Sequence, residues 1–244
     1  MNSVKLQKYF SDCAIMSRRA AEEEIEKGRV TVNGKPATLG LRIDPDTDVV
    51  IYCGKRILPT EQEKTYIILN KPRGILTTLS DEKGRKTVIS LLSGLNKRVY
   101  PVGRLDMDSD GLLILTDDGE LTNRLTHPRH QIPKIYHVTV SERPTPEQIA
   151  ILSSALVIDG YKIQPVKTKI VKSEQNSTIL EMTLFEGRNR QIRKMCKIAK
   201  LTITRLSRVA IGKISLGSLD TGKWRYLTSS EIEYLKKESA PKNA

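Results

Sequence analysis

The run Leu112-Leu113-Ile114-Leu115 constrains this chain more than any other stretch. Four apolar residues in succession leave no polar face, so a strand built from them is buried on both sides. Just before it stands the densest polar signal in the sequence, Gly103-Arg104-Leu105-Asp106-Met107-Asp108-Ser109-Asp110-Gly111. That loop joins two apolar strand candidates, residues 99–102 and 112–116, and such a junction is a common seat for catalytic side chains.

The length, 244 residues, suits one medium domain and one small one. Val4, Leu6, Phe10 and Cys13 begin a short helical pattern. Ser17 is placed to cap a helix over Arg18 to Lys27, with Gly28 as its stop. An alternating strand at 29–32 runs into Asn33-Gly34, the strongest short hairpin signal. A second strand at 48–52 leads to a turn at Gly54-Lys55. The polar, aperiodic stretch 59–64 is the expected boundary, dividing the chain into 1–60 and 61–244. Beyond it, strands are expected at 66–70, 99–102, 112–116, 136–140, 167–171 and 179–185. Helices are expected at 87–92, from 119 to about 125, and at 146–156, 189–199 and 229–237. Strand runs broken by single helices, with no regular beta-alpha alternation, predict an α+β domain with a mixed or antiparallel sheet.

Lys and Arg number 41 against 28 Asp and Glu, a formal charge of +13. The excess is uneven: residues 1–60 carry ten basic and eight acidic side chains, residues 186–213 nine and one. A block that dense repels itself unless a polyanion neutralises it, which points to RNA or DNA. Three scattered cysteines, Cys13, Cys53 and Cys196, form neither a disulfide framework nor a close-spaced metal cluster, as expected for a reducing compartment. The sequence has no apolar run long enough to span a membrane and no apolar stretch at its start, so a cytoplasmic location is expected.

Several constellations carry possible chemistry. An aspartate of the 103–111 loop set among arginines keeps its charge and can act as a nucleophile. The alternatives are turn capping and Mg²⁺ binding through carboxylate oxygens. Arg104 shares a face with Asp106 if the segment is extended. Cys196, between Lys194 and Lys197, is either a rival nucleophile or a small buried hydrophobe. His127 and His130 either approach phosphate, begin a metal site without a third ligand, or satisfy local hydrogen bonds. Gly187-Arg188-Asn189-Arg190-Gln191-Ile192-Arg193 opens a helix on which Arg190 and Arg193 share a face, suited to a carboxylate or a phosphate. Tyr136 is either a half-buried sheet tyrosine or a platform for a base. Neither a Walker A loop nor a dinucleotide fingerprint is present.

Val4-Lys5-Leu6-Gln7-Lys8-Tyr9, Ser17-Arg18-Arg19 and Gly28-Arg29-Val30-Thr31-Val32-Asn33-Gly34 look like an S4-type module. Lys71-Pro72-Arg73-Gly74, Gly103-Arg104-Leu105-Asp106 with Gly111 to Thr116, Lys134 to Tyr136, and Glu186 to Arg193 follow in the order of a catalytic domain. On these motifs the chain resembles the bacterial ribosomal RNA pseudouridine synthases of the branch with an N-terminal S4-like RNA-binding domain. The resemblance covers almost the whole chain. It implies a small S4-like domain and an α+β core with a mixed, largely antiparallel sheet. It makes Asp106 the nucleophile, with Tyr136, Arg193 and Arg104 as its companions in the site. Arg18, Arg19, Lys27, Arg29, Lys71, Arg188 and Arg190 become candidates for RNA contact. The family needs neither metal nor organic cofactor. The implied partner is ribosomal RNA, of the large subunit before the small, free or in a pre-ribosomal particle, and a monomer suffices. Ser109 stands where threonine is common, and Asp117 precedes the usual Asp118-Gly119. The rival readings are a small-subunit synthase, a noncatalytic ribosome-assembly protein, and a metal-dependent nuclease using the three aspartates.

Overall fold

The computed structural model describes residues 3–59, 63–127 and 130–240. Two compact units account for the chain, Met1–Glu63 and Lys64–Ala244. Residues 60–62 of the expected linker lie outside the described residues.

In the first unit, Val4–Lys5 (β1) leads into helices Leu6–Asp12 (α1) and Arg18–Glu26 (α2). Ser17 caps α2 by accepting the Ala20 N–H at 3.1 Å. Gly28 ends it at φ +69°. Its N–H reaches Ile25 O and the next N–H, of Arg29, reaches Glu24 O, so a left-handed residue satisfies two terminal carbonyls. Strands Val30–Val32 (β2), Lys35–Pro36 (β3), Val50–Tyr52 (β5) and Lys55–Arg56 (β6) pair in the order β3-β2-β5-β6, while Arg42–Ile43 (β4) pairs with β1. Asn33 and Gly34 both have positive φ, the geometry of a two-residue hairpin turn. The Asn33 amide locks it, donating to Asp48 Oδ1 and accepting the Val49 N–H, each at 2.8 Å. The second hairpin turns at Cys53-Gly54, one residue earlier than expected. Leu6, Phe10, Ile25, Val30, Ile43 and Val50 form part of this unit's own core.

The second unit holds a nine-stranded sheet. Its strands in chain order are Tyr66–Lys71 (β7), Tyr100–Pro101 (β8), Asp110–Thr116 (β9), Lys134–Val140 (β10), Lys167–Glu174 (β13), Ser177–Leu184 (β14), Ile203–Ile211 (β15), Ile214–Ser215 (β16) and Trp224–Tyr226 (β17). Val157–Ile158 (β11) and Tyr161–Lys162 (β12) form a separate hairpin. The main path is β13-β14-β10-β15-β9-β7-β17, with β8 on β9 and β16 on β15; every pairing is antiparallel except β15 with β9. Helices are Gly119–Thr126 (α3), Pro146–Ser153 (α4), Gln191–Ile198 (α5) and Ser229–Glu238 (α6), and Val88–Leu91 is a 3₁₀ turn. Capping boxes start α4 at Thr145 and α6 at Thr228. Among the described residues, no helix is long and apolar enough to cross a membrane.

The apolar run behaves as its composition demands. Leu112 and Ile114 join Tyr66 and Ile68 in a core with α3 and α6. Leu113 and Leu115 point the other way, into a cluster with Ile67, Leu69, Val88 and Leu105. A third core under α4 and α5 collects Val138, Leu180, Met182, Ile192 and Met195.

Strand β15 is not among the expected strands, because Arg205 and Arg208 break its apolar alternation. It nevertheless lies at the centre of the sheet. Arg208 is 4% exposed and donates Nε to Leu112 O at 2.8 Å, so it leaves the cationic surface expected of the 186–213 block. The parallel seam pairs Arg208 with Gly111. A Cβ on Gly111 would stand 2.3 Å from Arg208 O, and its φ is +108°. Only glycine lets the two backbones meet here. Across β15, the register with β10 slips between Ile135 and Tyr136, leaving Val209 as a bulge beside Tyr136.

Gly111→Ala is therefore expected to lower the unfolding free energy by about 3 kcal/mol or more. Gly187→Ala, where an added Cβ meets nothing within 4 Å and φ is not in the positive region, is the control. Denaturant titration of both variants checks this; equal stability would show that the seam relaxes without cost.

Candidate active site

The loop from Gly103 to Ser109 has no regular structure of its own, so its carbonyls must find partners elsewhere. They do. Thr77 Oγ1 donates to Leu105 O at 2.7 Å and accepts the Leu105 N–H at 3.3 Å. The Gly74 N–H reaches Met107 O at 2.7 Å, and Arg193 Nη2 reaches Asp108 O at 3.1 Å. The Lys71 ammonium takes two more, Asp106 O at 3.1 Å and Ser109 O at 2.8 Å, together with Pro72 O at 3.0 Å. Five successive carbonyls, from Leu105 to Ser109, are thus held.

Lys71 corrects a sequence expectation. It is wholly buried, not a cation offered to RNA. Burial pushes its pKa down to about 8, against the pull of Asp110, Asp106 and Asp108. The signal was present in the sequence: Lys71 is in phase with Ile67 and Leu69, which share one of the two buried faces of β7. Charged donors contribute roughly 1.5–3 kcal/mol per hydrogen bond, and three of them offset a desolvation cost of several kcal/mol.

The charges gather around this loop. Asp106 Oδ2 lies 3.4 Å from Arg190 Nη1 and 3.8 Å from Arg193 Nε. Asp108 holds Arg190 at two points, 2.9 and 3.2 Å, and Arg193 Nη2 at 3.2 Å. These arginines hold the Asp108 carboxyl below its ordinary range, the Arg190 hydrogen bonds first. Ser109 supplies the hydroxyl oxygen that Arg193 Nη2 meets at 3.2 Å. The buried Arg193 Nε has no hydrogen-bond partner among the described residues. Arg190 does not lie on the helix as expected. It precedes α5 with φ +51°, and this left-handed turn lets it meet the loop alongside Arg193. Asp110, nearly buried, pairs with Arg205 at 3.0 Å.

An open cleft of about 600 Å³ lies over the loop, lined by Asp106, Arg104, Arg188, Arg190, Asp81 and Arg85. A smaller recess of about 100 Å³ shares Asp106 and adds Tyr136, Leu184 and Ile192. The structure thus brings Asp106, Tyr136, Arg104, Arg188 and Arg190 to one place, with Arg193 behind them. Arg104 is exposed and lies in a loop rather than a strand. Among the described residues, Asp106 has only Arg190 and Arg193 as cations within 4 Å. Tyr136 is half-buried and packs between two cores. Two residues before it, Lys134 is pushed down to about 8 by burial and by Arg208.

Cys196 is buried, and burial pushes its thiol up to about 12, which suits a small hydrophobe and not a nucleophile. The His127 and His130 rings stand edge to face at 6.1 Å; Pro128 and Arg129 between them lie outside the described residues. Among the described residues, no group of three His, Cys, Asp or Glu is arranged to hold a metal. In the first unit, Arg18, Arg19, Lys27 and Arg29 are all exposed, and Lys27 and Arg29 each pair with Glu24 at 3.0 Å.

Fold and site together define an α+β protein with a carboxylate and arginines in an open cleft, suited to a polyanion. The sequence profile of the RNA pseudouridylate synthase family matches residues 65–197, and that of the S4 domain residues 16–49. The chain is 41% identical to an uncharacterized RNA pseudouridine synthase of Aquifex aeolicus, over 96% of this chain and 94% of that one. It is 37% identical to the ribosomal large subunit pseudouridine synthase B of Bacillus subtilis, over 95% of each chain. The dual-specificity RNA pseudouridine synthase RluF of Escherichia coli is 39% identical over 95% of this chain and 78% of its own. A crystal structure of a pseudouridylate synthase superposes with a TM-score of 0.68 at 28% identity, covering 95% of this chain and 99% of that one. The chain belongs to the RNA pseudouridylate synthase family. It is an RNA-modifying isomerase that carries an S4 domain ahead of its core.

Lys71→Met removes the ammonium from three carbonyls, of which Asp106 O keeps the Ser109 N–H. Its turnover is expected to fall about 10²-fold through misplacement of the loop, with RNA affinity within about twofold of the parent, since Lys71 is wholly buried. A loss confined to affinity would instead restore Lys71 as an RNA contact. In the parent, activity is expected to fall as pH rises through about 8, where Lys71 loses its proton. From there to the ordinary value of 10.5, the unfolded chain holds a proton that the fold has released. The contribution of Lys71 to stability therefore rises with pH in that window. Activity should be lost while circular dichroism shows an intact fold.

Proposed function

We propose that the protein converts a uridine of ribosomal RNA to pseudouridine, with large-subunit RNA as substrate and Asp106 as nucleophile. The observation that carries this is the placing of Asp106: in the cleft, within 4 Å of two guanidiniums, on a loop whose carbonyls from Leu105 to Ser109 are held. Substrate and product are isomers. The N1–C1′ bond breaks, the uracil turns, C5 bonds to C1′, the C5 proton leaves to a base or water, and N1 gains a proton. No co-substrate is required by that balance. Arg190 and Arg193, 3.4 and 3.8 Å from its Oδ2, orient Asp106 before any bond breaks. Tyr136, in the recess beside Asp106, stacks on the target base once it has left its helix. Arg104 at the rim holds the RNA backbone.

Residues 1–60 act as the RNA-holding domain and 61–244 as the catalytic one. Arg18 and Arg19 contact phosphates of an rRNA helix; Lys27 and Arg29 add to them and share their charge with Glu24. Such contacts position RNA without reading bases. A cytoplasmic monomer is adequate for this work. The Bacillus subtilis relative, named for the ribosomal large subunit, supports the choice of substrate, and the name of the dual-specificity relative makes a second target worth including in the test.

Tritium release from transcripts labelled with 5-³H-uridine tests this. The parent protein should release tritium from large-subunit RNA and not from small-subunit RNA. Asp106→Asn should lose roughly 10⁴-fold or more, the scale on which nucleophile removal acts, while still binding RNA. Release from the small-subunit transcript alone would overturn the substrate, and release by Asp106→Asn at the parent rate would overturn the nucleophile.

A further inference from the structure

Among the described residues, Arg190, Arg193 and Lys194 each face a carboxylate, and none pairs with Arg188. The partner of Arg188 is a ring: its guanidinium carbon lies 3.1 Å from the centroid of Tyr161. Arg188 is exposed and lines both the cleft and the recess that contain Asp106. Tyr161 is 42% exposed.

The stack is held from both sides. Tyr161 sits opposite Ile158 in the β11–β12 hairpin, whose tight turn uses Asp159 and Gly160 at positive φ. Ile158 is buried in the core that includes Ile192, Met195 and Cys196 of α5. Asp159 pairs with Lys194 on the same helix. On the other side, the Arg188 N–H donates to Gln191 Oε1 at 3.1 Å, and Glu186 Oε1 accepts the Gln164 N–H at 3.0 Å. A guanidinium seated over an aromatic ring at that distance has one side covered and offers its planar group on the other. RNA-binding proteins stack unpaired bases on such planes. A phosphate site would want converging backbone N–H groups, and the N–H of Arg188 is already engaged by Gln191.

We propose that Arg188, backed by Tyr161, is a stacking platform for a nucleobase of the RNA at the mouth of the cleft. The platform rests on the reading of the cleft as the uridine-isomerising site. It takes a base beside the target, so that the strand enters the cleft in one orientation.

The test compares KM and salt dependence of tritium release from labelled large- and small-subunit transcripts. Arg188→Lys keeps the charge and loses the plane; Tyr161→Leu keeps apolar bulk and loses the ring. Each should raise KM about 10-fold or more, with the slope of affinity against salt unchanged. Tyr161→Phe, which keeps the ring, should recover most of what Tyr161→Leu loses. Thermal unfolding of each variant near the parent value separates this from a loosened hairpin. Arg188→Lys behaving as the parent, while Arg188→Ala weakens binding and lowers the salt slope by about one, would make Arg188 a phosphate contact and overturn the platform. No change in KM for Arg188→Lys and Tyr161→Leu would overturn it as well. A parent protein that releases no tritium from either transcript would overturn the underlying reading and the platform with it.

Discussion

Everything at the candidate site depends on one buried cation. Lys71 ends a strand whose residues on the same face, Ile67 and Leu69, are aliphatic, and its side chain is wholly buried there. It donates to Pro72, Asp106 and Ser109 carbonyls instead, and so ties the end of β7 to both shoulders of the turn that carries Asp106. The neighbouring carboxylates act in the same direction, since Asp110, Asp106 and Asp108 all favour the charged ammonium. A loop fixed this way needs no ligand to shape it. Geometry set before substrate arrives is what electrostatic catalysis asks of a protein.

The guanidiniums are divided with some economy between two aspartates two residues apart. Asp108 takes the closer contacts, holding Arg190 bidentately and drawing Arg193 through both carboxylate and carbonyl. Asp106 has the same cations at 3.4 and 3.8 Å, near enough for their field and far enough to leave its oxygens available. In an open cleft these fields are moderated by water, and surface ion pairs of this kind contribute little to stability. Their role is orientation. The same block of sequence supplies the seam below, where Arg205 meets Asp110 and Arg208 crosses to Leu112.

What the sequence revealed follows from how local each cause is. Ser17 before α2, Asn33-Gly34 in the first hairpin and Leu112 to Leu115 in the central strand act within a few residues of themselves, and each is found as expected. Asp106, Tyr136 and the late arginines were legible as candidates, and the structure brings them to one cleft. Their roles are not a matter of geometry alone. Strand β15 was hidden because its arginines read as surface, although one is buried on a carbonyl and the other pairs with a buried aspartate across a parallel seam. The burial of Lys71 was legible from its phase with Ile67 and Leu69, but its acceptors were not, since two of the three lie 35 and 38 residues away in the chain. The Tyr161–Arg188 stack joins residues from a hairpin and a pre-helix loop, and neither segment announces the other.

Backbone amide exchange in the RNA-free protein tests the central claim, that the Asp106 loop is preformed and held by Lys71. The N–H of Leu105 on Thr77 and that of Ser109 on Asp106 O should exchange slowly in the parent protein. Both should lose protection in Lys71→Met while the amides of β7 and β9 keep theirs. Fast exchange at Leu105 and Ser109 in the parent, at the rate of an exposed loop, would contradict it.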